Sequence, residues 1–169
     1  MSEPSKPAQS NRRRFLGTTT AAAATLGSAE LVYGDHHKGK PLRFAQIGCG
    51  GKGSSDLDNT VSSGGKLIAM CDVDEGRAKG HFNKYSKVPR YTDYREMLAK
   101  HKDEIDAVVV STPDHVHAVA ALAAMKLGKH VYVQKPLART YGECMALLEA
   151  TKKYKVVTQM GNQGHAGSG

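Results

Sequence analysis

The feature of this sequence that most limits its fold is a glycine-rich turn that directly follows a short apolar segment. Residues 42–47 (Leu-Arg-Phe-Ala-Gln-Ile) predict a strand, and Gly48, Gly50 and Gly53 follow in a Gly-x-Gly-x-x-Gly pattern. In a dinucleotide-binding βαβ unit the first glycine permits a tight turn, the second lets the backbone approach a pyrophosphate, and the third lets the next helix pack close to the strand. Free N–H groups and the positive end of the helix dipole are then expected to face the phosphates.

A carboxylate after the next apolar segment strengthens this interpretation. Residues 66–71 predict a second strand, and Asp72 follows it about 20 positions after the turn, where the fold places an acid that hydrogen-bonds the adenosine ribose. An acid there repels a 2′-phosphate, so NAD is expected rather than NADP, although Arg77 lies near enough to reach such a phosphate. The alternative is that Asp72 only caps the following turn.

From residue 41 onward, predicted strands alternate with predicted helices, which indicates an α/β fold with a doubly wound, mostly parallel sheet of the Rossmann type. The β-branched segment before residue 111 predicts a central strand buried on both faces. Capping-box patterns are expected to start two of the helices, at Asp93 with Glu96 and at Thr140 with Glu143. The predicted strands cover residues 42–47, 66–71, 90–91, 105–110, 130–133 and 156–159. The predicted helices cover 51–63, 94–101, 116–127 and 141–154, with one more helix capped by Asp74.

Polar segments follow the strands at residues 48–53, 72, 112–117, 134–136 and 161–165. Because ligands bind beyond the carboxyl ends of strands in an open parallel sheet, these segments predict one continuous ligand edge. Lys135 lies between a predicted buried strand and a proline that fixes the backbone, so it could hydrogen-bond a substrate hydroxyl while hydride leaves the neighbouring carbon. The alternative is a surface lysine beside a turn.

The segment after the central strand has two compatible interpretations. Thr112, Pro113 and Asp114 could hold the nicotinamide ribose side of a dinucleotide, or form an ordinary strand-to-helix turn in which Asp114 caps the helix. His115 and His117 are two positions apart and point to different sides of a helix, so no metal site is expected from them. His117 could equally be a structural residue or a ligand contact.

The composition excludes several classes of protein. Lys and Arg exceed Asp and Glu by 24 to 16, a modest positive charge that suits an anionic cofactor, and the sequence has no basic stripe with interleaved aromatics. Nucleic-acid binding is therefore not expected. The three cysteines have no Cys-x-x-Cys spacing, so neither a disulfide framework nor a zinc site is indicated. No apolar run reaches the length of a membrane span.

The first 29 residues predict an export signal. Arg12 and Arg13 are followed by one further residue, two apolar residues and a run rich in alanine and threonine. This pattern resembles a twin-arginine signal, with cleavage expected after Ala29 and a linker over residues 30–40. Folding and cofactor loading would then precede export to the periplasm. The alternative is a basic tail with a short alanine-rich helix.

Four segments together resemble the glucose–fructose oxidoreductase / inositol dehydrogenase (Gfo/Idh/MocA) family over residues 42–169. They are residues 48–53 (GCGGKG), 71–74 (CDVD), 112–117 (TPDHVH) and 128–136 (GKHVYVQKP). The resemblance implies a nicotinamide-dinucleotide domain, a sugar or polyol substrate, homo-oligomers of the full-length protein and a catalytic Lys135. It also implies cofactor contacts from Gly48, Gly50, Gly51, Lys52, Gly53, Asp72, Thr112, Pro113, Asp114, His117, Gln134 and Lys135.

The sequence departs from the family pattern at two positions. Gln134 replaces the glutamate of the family's Glu-Lys-Pro motif, which removes a negative charge beside the lysine, and Asp114 replaces an asparagine. The family's C-terminal substrate domain, with its catalytic histidine, has no counterpart in residues 41–169. The chain is therefore expected to be part of a longer enzyme and to be inactive alone.

Three functions are consistent with the sequence. The first is an exported NAD-dependent oxidoreductase that acts on a sugar or polyol. The second is a glycoside hydrolase that uses bound NAD for transient oxidation, as some members of the family do. The third is a nucleotide-binding module without catalytic activity, which the replacement at Gln134 would permit.

Overall fold

The structure of the chain, a computed structural model, describes residues 39–162. The predicted export signal, its cleavage point, nearly all of the linker and the segment after residue 162 lie outside the described residues.

The described residues form a six-stranded sheet with helices on both faces. The strands are β1 (Arg43–Ile47), β2 (Lys66–Cys71), β3 (Arg90–Tyr91), β4 (Ala107–Val110), β5 (His130–Gln134) and β6 (Thr158–Gly161). The helices are α1 (Lys52–Ser62), α2 (Glu75–Lys84), α3 (Tyr94–Lys100), α4 (Asp114–Lys126) and α5 (Tyr141–Tyr154). The strand order is β3-β2-β1-β4-β5-β6 and every paired neighbour is parallel. The prediction of a doubly wound α/β fold is confirmed.

The order of the strands places the polar segments at one edge. The chain reverses its direction of progress across the sheet between β1 and β4, which is the topological switch point where open α/β sheets bind ligands. All four residues of β4 are buried, which confirms the prediction of a central strand, and the alanine-rich α4 packs its small side chains against the core.

Several predicted boundaries were wrong by about two residues. The strand predicted from residue 105 starts at Ala107, because the N–H of Ile105 donates to the carbonyl of His101 at the end of α3. The helix predicted from residue 116 starts at Asp114. The side chain of Asp114 makes no capping hydrogen bond, so the predicted cap is not formed. β5 extends to Gln134.

β6 lies two residues later than predicted. It covers Thr158–Gly161, because the N–H of Val157 donates to the side-chain Nδ1 of His130 rather than to a backbone carbonyl of β5.

The helix starts show which capping patterns formed. Thr140 and Glu143 form the complete predicted capping box of α5. Asp74 caps α2 by accepting the N–H of Arg77 at 3.0 Å. At α3, Asp93 accepts the N–H of Arg95 at 2.8 Å, so the reciprocal pair expected with Glu96 is replaced by a one-sided cap.

Two packed layers cover the sheet. The largest cluster of buried side chains lies between the sheet and α3, α4 and α5, and smaller clusters lie beneath α1 and α2. No helix among residues 39–162 is both long and apolar enough to cross a bilayer.

Candidate nucleotide-binding site

A cavity of about 700 Å³ opens at the carboxyl ends of β1, β2 and β4. Its volume lies within the range of small-molecule and cofactor sites. Half of the twelve predicted cofactor residues line it: Gly48, Gly50, Lys52, Asp72, Thr112 and Pro113. The other six, which are Gly51, Gly53, Asp114, His117, Gln134 and Lys135, lie outside its lining.

The glycine turn is shaped by close backbone contacts. Gly48 has φ +85°, and a Cβ there would lie 2.5 Å from the carbonyl oxygen of Ser111. A Cβ at Gly53 would overlap the carbonyl of Gly48, and one at Gly50 would lie 2.9 Å from the Cβ of Arg77. The turn therefore needs glycine to pack against the chain itself, in addition to the approach of a pyrophosphate predicted from the sequence.

The carboxylate of Asp72 holds this turn in place. One oxygen accepts the N–H of Cys49 at 2.7 Å and that of Gly50 at 3.1 Å, and the other accepts the N–H of Asp74 at 3.0 Å. The expectation that the N–H groups of the turn are free was wrong at these positions, because they already have an acceptor. Asp72 was predicted to contact the ribose or, alternatively, to cap the following turn, and its bond to the N–H of Asp74 fits the second interpretation. Its support of the glycine turn was not predicted.

Further N–H groups of the turn are bonded within it. The N–H of Gly53 donates to the carbonyl of Gly50 at 3.0 Å, and that of Ser54 donates to the carbonyl of Gly51 at 3.2 Å. Attraction of a phosphate therefore depends on the remaining donors at the start of α1 and on the positive end of its dipole.

Two buried thiols flank the turn. Burial, with the nearby carboxylate of Asp72 adding to it, raises the pKa of Cys49 to about 12 and that of Cys71 to about 12. Both thiols are therefore neutral at physiological pH, which fits the expectation that they are small buried residues. No group of three or more His, Cys, Asp or Glu side chains in residues 39–162 is arranged to hold a metal ion.

The segment after β4 contributes Thr112 to the lining of the cavity. In the described part of the chain, the hydroxyl of Thr112 is buried without a hydrogen-bond partner. Because this hydroxyl has almost no solvent-accessible surface, it does not face the open cavity. Asp114 is exposed beyond the lining.

His117 connects two of the predicted segments. Its side chain is only 1% exposed, with Nδ1 2.6 Å from the carbonyl oxygen of Pro136 and Nε2 2.8 Å from that of Thr112. These contacts favour the structural interpretation of His117 over a direct ligand contact.

Two consecutive side chains at the end of β5 have opposite environments. Gln134 is buried and bonded on both ends of its amide, whereas Lys135 is exposed at the surface of the ligand edge. Lys52 lines the cavity. Its ammonium donates a hydrogen bond to Oδ1 of Asp56 at 2.6 Å.

The cavity also has lining residues that the sequence analysis did not assign to the cofactor. Thr92 directly follows β3, Tyr94 and Arg95 are the first residues of α3, and Arg77 lies on α2. Of these, only Arg77 was noted for a possible phosphate contact. The other three could not be assigned to the site from the sequence, because it is the pairing of the two-residue β3 with β2 that brings the start of α3 to this edge.

The site fits a dinucleotide in two respects. Gly48 and Gly50 place no side chain in the cavity lining, and Asp72 is partly exposed there with one carboxylate lone pair that its three backbone donors leave unused. The residues present therefore suit the group that the turn predicts.

Comparison with known proteins identifies the class of protein that carries this site. Residues 42–162 match the oxidoreductase family with an NAD-binding Rossmann fold, Gfo/Idh/MocA. The chain belongs to this family, and the described residues are its NAD-binding domain.

Three relatives illustrate the match. An inositol 2-dehydrogenase of Salmonella paratyphi B is 34% identical over 116 residues, which cover 66% of this chain and 34% of the relative. A glycosyl hydrolase family 109 protein of Solibacter usitatus is 35% identical over 155 residues, which cover 83% of this chain and 35% of that protein. The structure of myo-inositol 2-dehydrogenase from Lactobacillus plantarum superposes with a TM-score of 0.69 at 28% identity and covers 76% of this chain and 38% of that one. The chain spans about a third of the length of the curated relatives it matches.

Proposed function

We propose that the chain provides the NAD-binding domain of a dehydrogenase that oxidises a hydroxyl group of a sugar or polyol. The observation that carries the proposal is the glycine turn held by Asp72 at the mouth of the 700 Å³ cavity. The similarity to inositol 2-dehydrogenases supports the substrate class. Substrate turnover and assembly into homo-oligomers are proposed for the full-length protein, because the chain covers only about a third of those relatives.

The proposed cofactor contacts follow from the lining. The start of α1 faces the pyrophosphate, Asp72 accepts the adenosine ribose hydroxyls, and Thr112 with Pro113 lies on the nicotinamide side. NAD when bound supplies the hydride acceptor. We propose NAD over NADP because Asp72 repels a 2′-phosphate, while Arg77 and Arg95 in the same lining are the residues that would favour NADP.

Lys135 is proposed to act on the substrate rather than on the nucleotide. It lies at the carboxyl end of β5, exposed on the ligand edge, and its ammonium can hydrogen-bond a substrate hydroxyl and stabilise the developing alkoxide. A substrate domain would have to close over this edge for the lysine to act, so residues 39–162 alone are proposed to bind nucleotide without turnover.

The proposal is tested by calorimetric titration of the 169-residue chain with NAD and with NADP. We expect saturable NAD binding, weaker NADP binding, and at least about tenfold weaker NAD binding in Asp72→Ala, because the variant loses both the ribose acceptor and the bonds that hold the turn. Glu149→Ala, at an exposed position on α5, is the matched control and should bind NAD like the wild type. A folded wild-type chain that binds neither nucleotide would contradict the proposal.

A second candidate function is favoured by one observation. The glycosyl hydrolase family 109 relative aligns over 83% of this chain, compared with 66% for the inositol dehydrogenase. An enzyme that cleaves a glycosidic bond through transient oxidation releases sugar without net NADH, so the ratio of the two products in the full-length protein separates the candidates. A non-catalytic module would yield neither product.

We also propose that the protein is exported by the twin-arginine route to the periplasm. Support comes from the sequence pattern around Arg12 and Arg13. Replacement of both arginines by lysine, followed by cell fractionation, tests this proposal.

A further inference from the structure

A buried carboxylate on α1 connects three elements behind the ligand edge. Asp56 is 7% exposed and accepts three donors: the ammonium of Lys52 at 2.6 Å, the hydroxyl of Ser111 at 2.7 Å and the side-chain amide of Gln134 at 2.9 Å. These partners lie on α1, after β4 and at the end of β5. A carboxylate at this depth needs such donors because removing it from water is costly.

Gln134 uses both ends of its amide. Its Nε2 donates to Oδ2 of Asp56, and its Oε1 accepts the backbone N–H of Lys135 at 3.1 Å. Only an amide can do both, because a carboxylate has no proton to give to Asp56 when it is ionised. A flipped amide would place its oxygen against the carboxylate and its NH₂ against the N–H group. The two hydrogen bonds therefore define the orientation of the side chain.

We propose that Asp56 and Gln134 are a matched pair in which Gln134 positions the backbone of Lys135. The inference rests on the proposed function, in which Lys135 acts on the substrate. Although Gln134 itself carries no charge, the region keeps a buried negative charge on Asp56 of α1. A glutamate at position 134 would face Asp56 at hydrogen-bond distance, so the glutamine is required by its partner.

The other groups around Asp56 agree with a negative charge there. Among residues 39–162, Lys52 faces it from the same helix, Ser111 from the end of β4, and Tyr132 with Gln134 from β5. Burial raises the pKa of Tyr132 and the charge of Asp56 raises it further, while Lys52 opposes the effect. Lys52 is thus the one cation among these partners. Its single positive charge balances the carboxylate of Asp56 but would not balance a second carboxylate at position 134.

A cycle of four proteins tests the pair: the wild type, Gln134→Glu, Asp56→Asn and the double variant that carries both changes. In Gln134→Glu two carboxylates compete for one site and share a proton, so the folded-state pKa of the pair rises. A raised folded-state pKa means that stability is retained at low pH and lost as the pH rises. Relative to the wild type, we expect the unfolding equilibrium constant of Gln134→Glu to increase at least about tenfold between roughly pH 5 and pH 8.

The double variant exchanges the amide and the carboxylate between the two positions. The new asparagine amide on α1 would then donate to the new glutamate carboxylate on β5 and accept from Lys52. That glutamate would still accept the N–H of Lys135. We expect the pH dependence of the double variant to return to within about threefold of the wild type. If the defect at position 134 were purely steric, the stability of Gln134→Glu would not recover at low pH, and the second substitution would not restore it.

Hydrogen exchange of the Lys135 amide reports on positioning directly. We expect its protection factor at about pH 8 to fall about tenfold in Gln134→Glu and to recover in the double variant. Equal protection in all four proteins, or a double variant no better than Gln134→Glu, would overturn the inference. If Gln134→Glu does not fold at that pH, folding of the double variant there supports the pair, and its failure to fold overturns it. No nucleotide is present in these experiments, so failure of the nucleotide titration would leave this cycle unaffected.

Discussion

Two segments at the same edge of the sheet are built in opposite ways. The turn after β1 is made of backbone: Gly48, Gly50 and Gly53 leave no room for a Cβ, and a carboxylate at the end of β2 accepts two of its N–H groups. The segment after β5 is held by buried side chains, with Gln134 bonded to a carboxylate on α1 and His117 facing the carbonyl of the proline that follows β5. The first segment requires three positions without a Cβ, and the second depends on the hydrogen bonds of its buried side chains.

This difference determines how each segment responds to change. In the turn, a Cβ added at Gly48 or Gly53 meets the backbone carbonyl of a residue that directly follows a strand, so the damage is steric. In the segment after β5, a change of charge or hydrogen bonding matters more than a change of volume, because the segment is held by hydrogen bonds of Gln134 to Asp56 and of His117 to Pro136. Substitutions in each segment test this distinction, and they follow in order of decreasing expected effect.

The largest effect is expected from Gly53→Ala. The new Cβ would overlap the carbonyl of Gly48 and lie 3.3 Å from the Cβ of Ser111. We expect a loss of about 3 kcal/mol or more in the free energy of unfolding, measured by urea denaturation, or failure to fold. Gly80→Ala in α2 is the control, because a Cβ there meets no atom within 4 Å and alanine favours a helix by up to about 1 kcal/mol. Equal stability of the two variants would contradict a steric origin.

A smaller effect is expected from His117→Ala in the other segment. Removal of the ring leaves the carbonyls of Thr112 and Pro136 without these partners and opens a cavity beneath α4. We expect a loss of about 2–4 kcal/mol in the free energy of unfolding. His115→Ala, two residues earlier and exposed, is the matched control and should change stability by less than about 0.5 kcal/mol. The comparison would fail if both histidines tolerated the substitution.

The smallest effect is expected at the surface of α1, two residues from the buried carboxylate. The ammonium of Lys84 and the hydroxyl of Tyr85 lower the pKa of Asp58 to about 2. A lowered folded-state pKa gives stability that is present above about pH 4 and is lost as the pH falls towards 2. The side chain of Asp58 is 39% exposed, so solvent screening limits the effect of Asp58→Asn to less than about 1 kcal/mol at pH 7.

Thermal unfolding of Asp58→Asn and the wild type between about pH 7 and pH 2 measures this effect. The two curves should converge as the pH falls below about 4, whereas Asp103→Asn, at an exposed carboxylate after α3, should follow the wild type throughout. A difference that stays constant over the whole acid range would show that the ion pair is not its cause.

Most of the fold and about half of the site could be predicted from the sequence. The alternation of strands and helices, the glycine turn and the buried central strand all depend on residues close together in the chain, where period, size and backbone freedom can be recognised directly. The errors were at element boundaries, where tertiary hydrogen bonds decided the outcome. The carbonyl of His101 delays the start of β4, and the ring of His130 delays that of β6.

The sequence by itself determined that a dinucleotide-binding turn follows β1, that Asp72 stands at the end of β2 and that Lys135 precedes a proline after β5. Only the tertiary structure decided what those residues contact. Asp56 and Gln134 are 78 positions apart and Asp56 and Ser111 are 55 apart, and no local pattern marks such pairs. They meet because the parallel sheet brings the ends of β4 and β5 to the same edge as the start of α1, where a carboxylate removed from water must find its donors.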